Sequence, residues 1–90
     1  MSLSEEENAK LLKRLGRIRG QVEALRRAVA ENASSKAVLT QATACRGALD
    51  GFIAEVIEDH IRDQLLAADD PDQATKAAEE LIDIVHSYMT

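Results

Sequence analysis

Ninety residues are enough for one domain and too few for two, so every function has to fit on one small scaffold or on an assembly of copies. Apolar residues make up 46% of the chain but aromatics only 2%, and much of the apolar content is alanine, so a lone subunit is expected to have a thin core. A net charge of −5, taken alone, argues against nucleic acid, because DNA binding relies on cations that displace counterions from phosphates.

Ser4 followed by Glu7 fits a capping box. It opens a first helix expected over residues 4–31, whose Leu11, Leu15, Ile18, Val22, Leu25 and Val29 alternate spacings of four and three. The polar cluster 32–35 interrupts it, and Ser34 or Ser35 can accept from the free N–H groups that open a second helix, expected over 35–67. The stripe of this helix is Val38, Ala42, Cys45, Leu49, Phe52 and Val56, continued on a neighbouring line by Ile53, Ile57 and His60. At 1.5 Å per residue it would be about 48 Å long. Next, Asp70 can cap a third helix over 71–88, with Pro71 at the first helical position, where a missing N–H costs nothing. Ala74, Ala78, Leu81, Val85 and Tyr88 line that helix.

Two long helices and a short third predict an all-α chain, one domain over residues 1–90. The long helices fold back as an antiparallel pair, and the second stripe outruns what the third helix can cover, so self-association into a bundle is the economical solution. Gly16 with Gly20 and Gly47 with Gly51, each pair one turn apart, are expected to mark tight helix contact, since a helical glycine costs about 1 kcal/mol against alanine. The single cysteine, Cys45, rules out an intrachain disulfide. Without a secretory signal or an apolar run of about 20 residues, the chain reads as soluble and cytoplasmic, with no membrane partner.

The charge is unevenly spread. Between positions 10 and 27, seven basic residues (Lys10, Lys13, Arg14, Arg17, Arg19, Arg26, Arg27) face one acid, Glu23, a balance of +6, so the rest of a chain with −5 overall carries −11. At about 100° per residue from the apolar stripe, Lys10, Lys13, Arg14, Arg17 and Gln21 fall between about 200° and 300°, with Arg19 and Arg26 on the opposite flank. A solvated face whose long cationic stems cover apolar surface is the plain alternative. Such a face usually interleaves glutamates at i, i+4, and in a symmetric oligomer the patch would recur at fixed spacings, as repeated DNA half-sites require.

Several segments resemble one known family. Arg17-Ile-Arg-Gly-Gln21, Val38-Leu39-Thr-Gln41, Arg46-Gly-Ala48 and Ala54-Glu-Val-Ile-Glu-Asp-His60 are similar, in order and spacing, to the CsoR/RcnR/FrmR family of copper-, nickel/cobalt- and formaldehyde-responsive repressors. The segments around Arg46 and Ala54 look closer to the nickel/cobalt and formaldehyde branches. The resemblance implies a three-helix subunit forming an antiparallel four-helix-bundle dimer and a dimer-of-dimers tetramer. In such a protein the effector-free form holds operator DNA and lets go when an effector occupies a site between subunits. It places the DNA-contacting arginine of the first helix at Arg14, with Lys13, Arg17, Arg19 and Arg46 as companions.

The family's effector site begins with a cysteine at the start of the second helix; by the resemblance that position is Ser35. A histidine follows, matched by His60, and then a cysteine or histidine one turn later, matched by Gln64, whose amide is a poor ligand for copper or nickel. The N-terminal histidine or proline of two branches is also missing from Met1-Ser-Leu-Ser4. Serine has no soft sulfur and needs a base to become a nucleophile, so tight metal binding or thiol-based sensing is expected to be absent. Cys45 stands about 15 Å along the helix from Ser35, on the apolar stripe, and reads as a core residue. His60 is either packed beside Ile57 or part of a weak divalent-metal site with Asp59, Asp63 or a neighbouring subunit's carboxylate. Glu80 matches an acidic residue that in the copper branch couples the liganded histidine to the third helix, so a His60–Glu80 hydrogen bond is expected; the family's tyrosine partner corresponds to Ser34.

These readings converge on a DNA-binding repressor released from its operator by a small effector, such as a metal ion, formaldehyde or another reactive molecule, with the usual cysteine-based site altered. No nucleophile–base pair, phosphate loop or metal triad suggests an enzyme. The rival is a structural or adaptor helix bundle that binds a protein partner and uses its basic face only for solubility.

Overall fold

The computed structural model describes residues 3–89. Three helices, α1 (Glu5–Ala30), α2 (Ser35–His60) and α3 (Pro71–Met89), account for most of them, and no strand occurs among the described residues. The chain is therefore all-α with two long helices and a shorter third, as its apolar spacing predicts. One departure concerns the end of the second helix: Ile61–Leu66 continues α2 as a π-helical segment, a wider turn that is rare and often marks a functional position.

Local chemistry explains each boundary. The Ser4 hydroxyl accepts from the Glu7 N–H at 3.1 Å while the Glu7 carboxylate accepts from the Ser4 N–H at 2.9 Å, completing the capping box. Asn32, with φ 57°, ends α1 in the left-handed region; its N–H donates to the Val29 carbonyl at 3.1 Å, and the Ala33 N–H donates to the Ala28 carbonyl at 2.9 Å. These are the two bonds of a Schellman turn, and asparagine is among the few residues that tolerate that conformation. Of the two serines, Ser34 caps α2, accepting from the Ala37 N–H at 3.1 Å. Asp70 caps α3 through the Gln73 N–H at 2.8 Å, with Pro71 as its first residue.

Glu7, Arg14 and Gln21 lie seven apart on α1 and meet Asp63, Glu55 and Gln41, progressively nearer the start of α2, which makes the hairpin antiparallel. In turn, α3 returns along α2: its Ala77 carbonyl meets His60, and the Tyr88 hydroxyl donates to Asp50 at 3.1 Å.

The α1 stripe divides into two lines. Leu11 is buried, with Ile18 and Leu25 half-buried on the same line, whereas Leu15, Val22 and Val29 remain 39%, 50% and 59% exposed. A single partner helix covers one line of a two-line stripe and leaves the other open. Among the described residues the buried apolar core is reduced to Leu11 and Ala77. With extents of 56 × 29 × 12 Å the subunit is one helix thick, since a helix with its side chains is about 10–12 Å across. Its radius of gyration, 17.1 Å, exceeds the roughly 12 Å of a compact chain of this length. Its accessible surface, 6691 Å², exceeds the roughly 5,200 Å² expected for a compact 9.8 kDa chain.

The glycines depart from expectation. A Cβ on Gly16, Gly20 or Gly47 would meet nothing within 4 Å, so these positions face open space and do not mark helix contact within the subunit. Helices laid side by side in one layer turn their remaining faces outward. Only Gly51 has a close neighbour, and it is a side chain of α1. No described helix is long and apolar enough to cross a membrane.

Candidate nucleic-acid interface and effector site

Lys13, Arg17, Arg19 and Arg46 are all exposed, and none of them forms an ion pair among the described residues. Other cations are held: Arg26 by Glu23 at 2.9 Å and Arg62 by Asp59 at 3.2 Å. Arg14 is unlike its companions. It sits on the Glu7–Arg14–Gln21 line that turns toward α2, is half-buried, and places its Nε 2.6 Å from a Glu55 carboxylate oxygen. Its Nη1 lies 2.8 Å from where a Cβ on Gly51 would stand. Sequence reasoning missed both Glu55 and Gly51 as partners of Arg14. The available signal was the antiparallel register, which sets residue 14 at the height of residues 51 and 55.

The groove containing Arg14 is lined by four carboxylates (Glu7, Glu55, Glu58, Asp59) and three cations (Lys10, Arg14, Arg62). Glu7 shares a hydrogen bond with Asp63, which together with the Ser4 N–H holds its carboxyl down at about 2. That same bond, reinforced by burial, pushes Asp63 up. Burial first, and the Glu7 charge second, also push up Asp59, whose side chain is 8% exposed.

Ser35 is exposed at the first turn of α2, and His60 closes the same helix 25 residues later, about 38 Å away at 1.5 Å per residue. One subunit therefore does not bring Ser35 and His60 together. His60 is 0% exposed. Its Nε2 donates to the Ala77 main-chain carbonyl at 2.8 Å, which replaces the expected bond to Glu80. The cause is steric: Ala77, 5% exposed, is small enough for the α3 backbone to approach, so a carbonyl reaches the ring in place of a side chain one turn on. Glu80 instead lines a shallow cleft with Gln64 and Lys76, between the π-helical segment and α3.

The carbonyl can only accept, so Nε2 carries its hydrogen, and Nδ1 is buried without a partner. An unpaired buried polar atom costs about 1–3 kcal/mol. In the neutral ring this is also the arrangement of a metal-binding histidine, whose second nitrogen is fixed by a backbone carbonyl. His60 thus fits one ligand position. No group of three or more His, Cys, Asp or Glu stands ready to hold a metal ion among the described residues, so one subunit supplies no complete donor set. Cys45 is a half-buried free thiol on α2.

Residues 7–87 match the sequence pattern of the metal-sensitive transcriptional repressors. The chain belongs to that family. It is 33% identical over 89 residues to the transcriptional repressor RcnR of Citrobacter koseri, with 99% of each chain covered. It is 44% identical over 90 residues to an uncharacterized protein in the bioA 5′ region of Serratia marcescens, again covering 99% of each. Among solved structures, a variant of the formaldehyde-responsive regulator FrmR from Salmonella enterica serovar Typhimurium superposes with a TM-score of 0.85 at 38% identity, over 94% of this chain and 97% of that one. The nickel-responsive regulator InrS superposes with a TM-score of 0.79 at 28% identity, over 98% and 97%. Within a family of metal-sensitive repressors, the exposed cations of α1 and the buried ring of His60 are the two features that call for functional roles.

Proposed function

We propose that the chain is an operator-binding repressor that acts as a symmetric oligomer, contacts DNA through Arg14, Lys13, Arg17, Arg19 and Arg46, and senses its effector without a thiol at Ser35. The observation that carries this reading is that Lys13, Arg17, Arg19 and Arg46 stay unpaired and exposed in a chain whose acids outnumber its bases by 16 to 11. Exposed cations that form no ion pair amid excess acid are available for phosphate.

Self-association follows from the one-layer subunit. Domains are built from packed layers around a core, and here the open line Leu15–Val22–Val29 has nothing to pack against. A dimer that buries it, doubled into a tetramer, arrays the basic helices at fixed spacings. Antiparallel pairing of subunits also offers the start of one α2 to the end of another, which is how Ser35, His60 and Gln64 can contribute to one site. With a hydroxyl, an imidazole and an amide as donors, that site takes a divalent ion weakly through His60, or a small reactive effector. The protein works by recognition in the cytoplasm, holds no tightly bound cofactor and catalyses no reaction.

The test begins by selecting a duplex from a random-sequence pool and titrating it against salt. A defined selected sequence with affinity falling steeply as salt rises supports the repressor; no enrichment, with salt-insensitive binding, supports the adaptor bundle. Arg14→Ala should weaken binding to the selected duplex while leaving the oligomer intact.

A further inference from the structure

We propose that Glu55 and Gly51 form a seat for the Arg14 guanidinium that competes with DNA phosphate, making Glu55 a brake on DNA affinity. The inference rests on the reading above that Arg14 contacts DNA. Three observations carry it. Arg14 alone among the five assigned DNA contacts is ion-paired, through Nε to Glu55 at 2.6 Å. The missing side chain of Gly51 is what admits the guanidinium, because a Cβ there would stand 2.8 Å from Nη1. Glu7, Glu58 and Asp59 line the same groove beside Lys10 and Arg62, so with Glu55 the carboxylates around the seat outnumber the cations other than Arg14 by four to two, and a phosphate approaching Arg14 in its seat meets a net negative surface.

Binding therefore exchanges one anion for another at Arg14. A free arginine that meets phosphate releases a condensed counterion, and each such contact contributes about 0.9 to the slope of log affinity against log salt. An arginine leaving Glu55 uncovers a carboxylate that gathers a cation in return, so the net release is smaller. Glu55 thus acts through Arg14 as a positioning residue, setting both the affinity and its salt dependence.

The experiment uses the full chain and a fluorescein-labelled duplex selected by the wild-type protein from a random-sequence pool. Glu55→Gln keeps the size and removes the charge. It should tighten binding about two- to five-fold for each engaged arginine, the range of a partly exposed ion pair, and steepen the salt slope. Gly51→Ala should shift affinity the same way by pushing Arg14 out of the seat. Both variants lose the ion pair, but only Gly51→Ala gains helix propensity, about 1 kcal/mol, in return, so the two differ in stability; a shared gain in DNA affinity is then not a stability effect. In an Arg14→Ala background the gain from Glu55→Gln should vanish. Unchanged or weaker binding by Glu55→Gln, or a gain that persists without Arg14, overturns the brake while leaving the DNA role of Arg14 standing. Unchanged binding by Arg14→Ala alone overturns that role, and the brake with it.

Discussion

Val22 offers the most direct measure of what the open face of α1 is for. It is 50% exposed in the subunit and lies midway along the line Leu15–Val22–Val29. Val22→Ala removes two carbons worth about 0.8 kcal/mol each on full burial. Half of that surface is already covered within the subunit, so about 0.8 kcal/mol per subunit remains to be lost at an interface, or about 1.6 kcal/mol for a symmetric pair. That is roughly a 15-fold weaker dimer. Val22→Glu, which would bury an unpaired charge, should dissociate it altogether. Sedimentation equilibrium over a concentration series reads both effects, and far-UV circular dichroism confirms that the helices persist, alanine and glutamate being better helix formers than valine. An assembly as tight in Val22→Glu as in the wild type would refute the assignment of this line to an interface between copies.

Other expectations are local. Asn32→Gly should be nearly neutral and Asn32→Ala should cost about 1 kcal/mol in urea unfolding, because only the latter opposes φ 57°; equal values would place the stability of the turn elsewhere. Lys13→Ala and Arg17→Ala should each lower the salt slope of DNA binding by about 0.9 and weaken all sequences alike, and an unchanged slope would remove that residue from the phosphate contacts. The raised Asp63 contributes stability in its protonated form, lost as pH rises through its folded value, whereas the depressed Glu7 contributes above its ordinary range and loses that contribution as pH falls toward about 2. Asp63→Asn keeps a donor to Glu7 at every pH. It should therefore be more stable than the wild type near neutral pH, with a difference that shrinks in mild acid, and a difference that grows on acidification would contradict the shared proton.

What could be read directly from the sequence were features encoded over a few residues: the Ser4–Glu7 box, the capping Asp70 before Pro71, and the helix periods. Each depends on neighbours within one turn. What could not be read depends on pairing at a distance. The α1 stripe is continuous in sequence, and only the arrangement of helices decides that Leu11 is covered and Val22 is not. The glycine pairs have the spacing of close helix contacts, yet three of the four face open space because the helices lie side by side. The bond from His60 to the Ala77 carbonyl was invisible because a backbone acceptor has no letter of its own. Glu55 read as one more acid on α2 until the hairpin register set it beside Arg14.

The same thinness that denies the subunit a core also divides its candidate site. Ser35 and His60 occupy opposite ends of one helix, and helices do not fold back on themselves, so no side-chain rearrangement within a subunit unites them. If the open face of α1 is where copies pair, assembly completes the layer, arrays the unpaired cations and brings the two ends of α2 into reach of each other at one stroke. Occupancy at His60 then has a mechanical route to DNA: its ring grips the α3 backbone through Ala77, and it is followed by a π-helical segment whose Asp63 shares a proton with Glu7 on α1. From Glu7 the same heptad line leads in two turns to Arg14 and its seat. On the proposed reading, an effector that alters the packing around His60 would act on the helix that carries the cations without touching any of them.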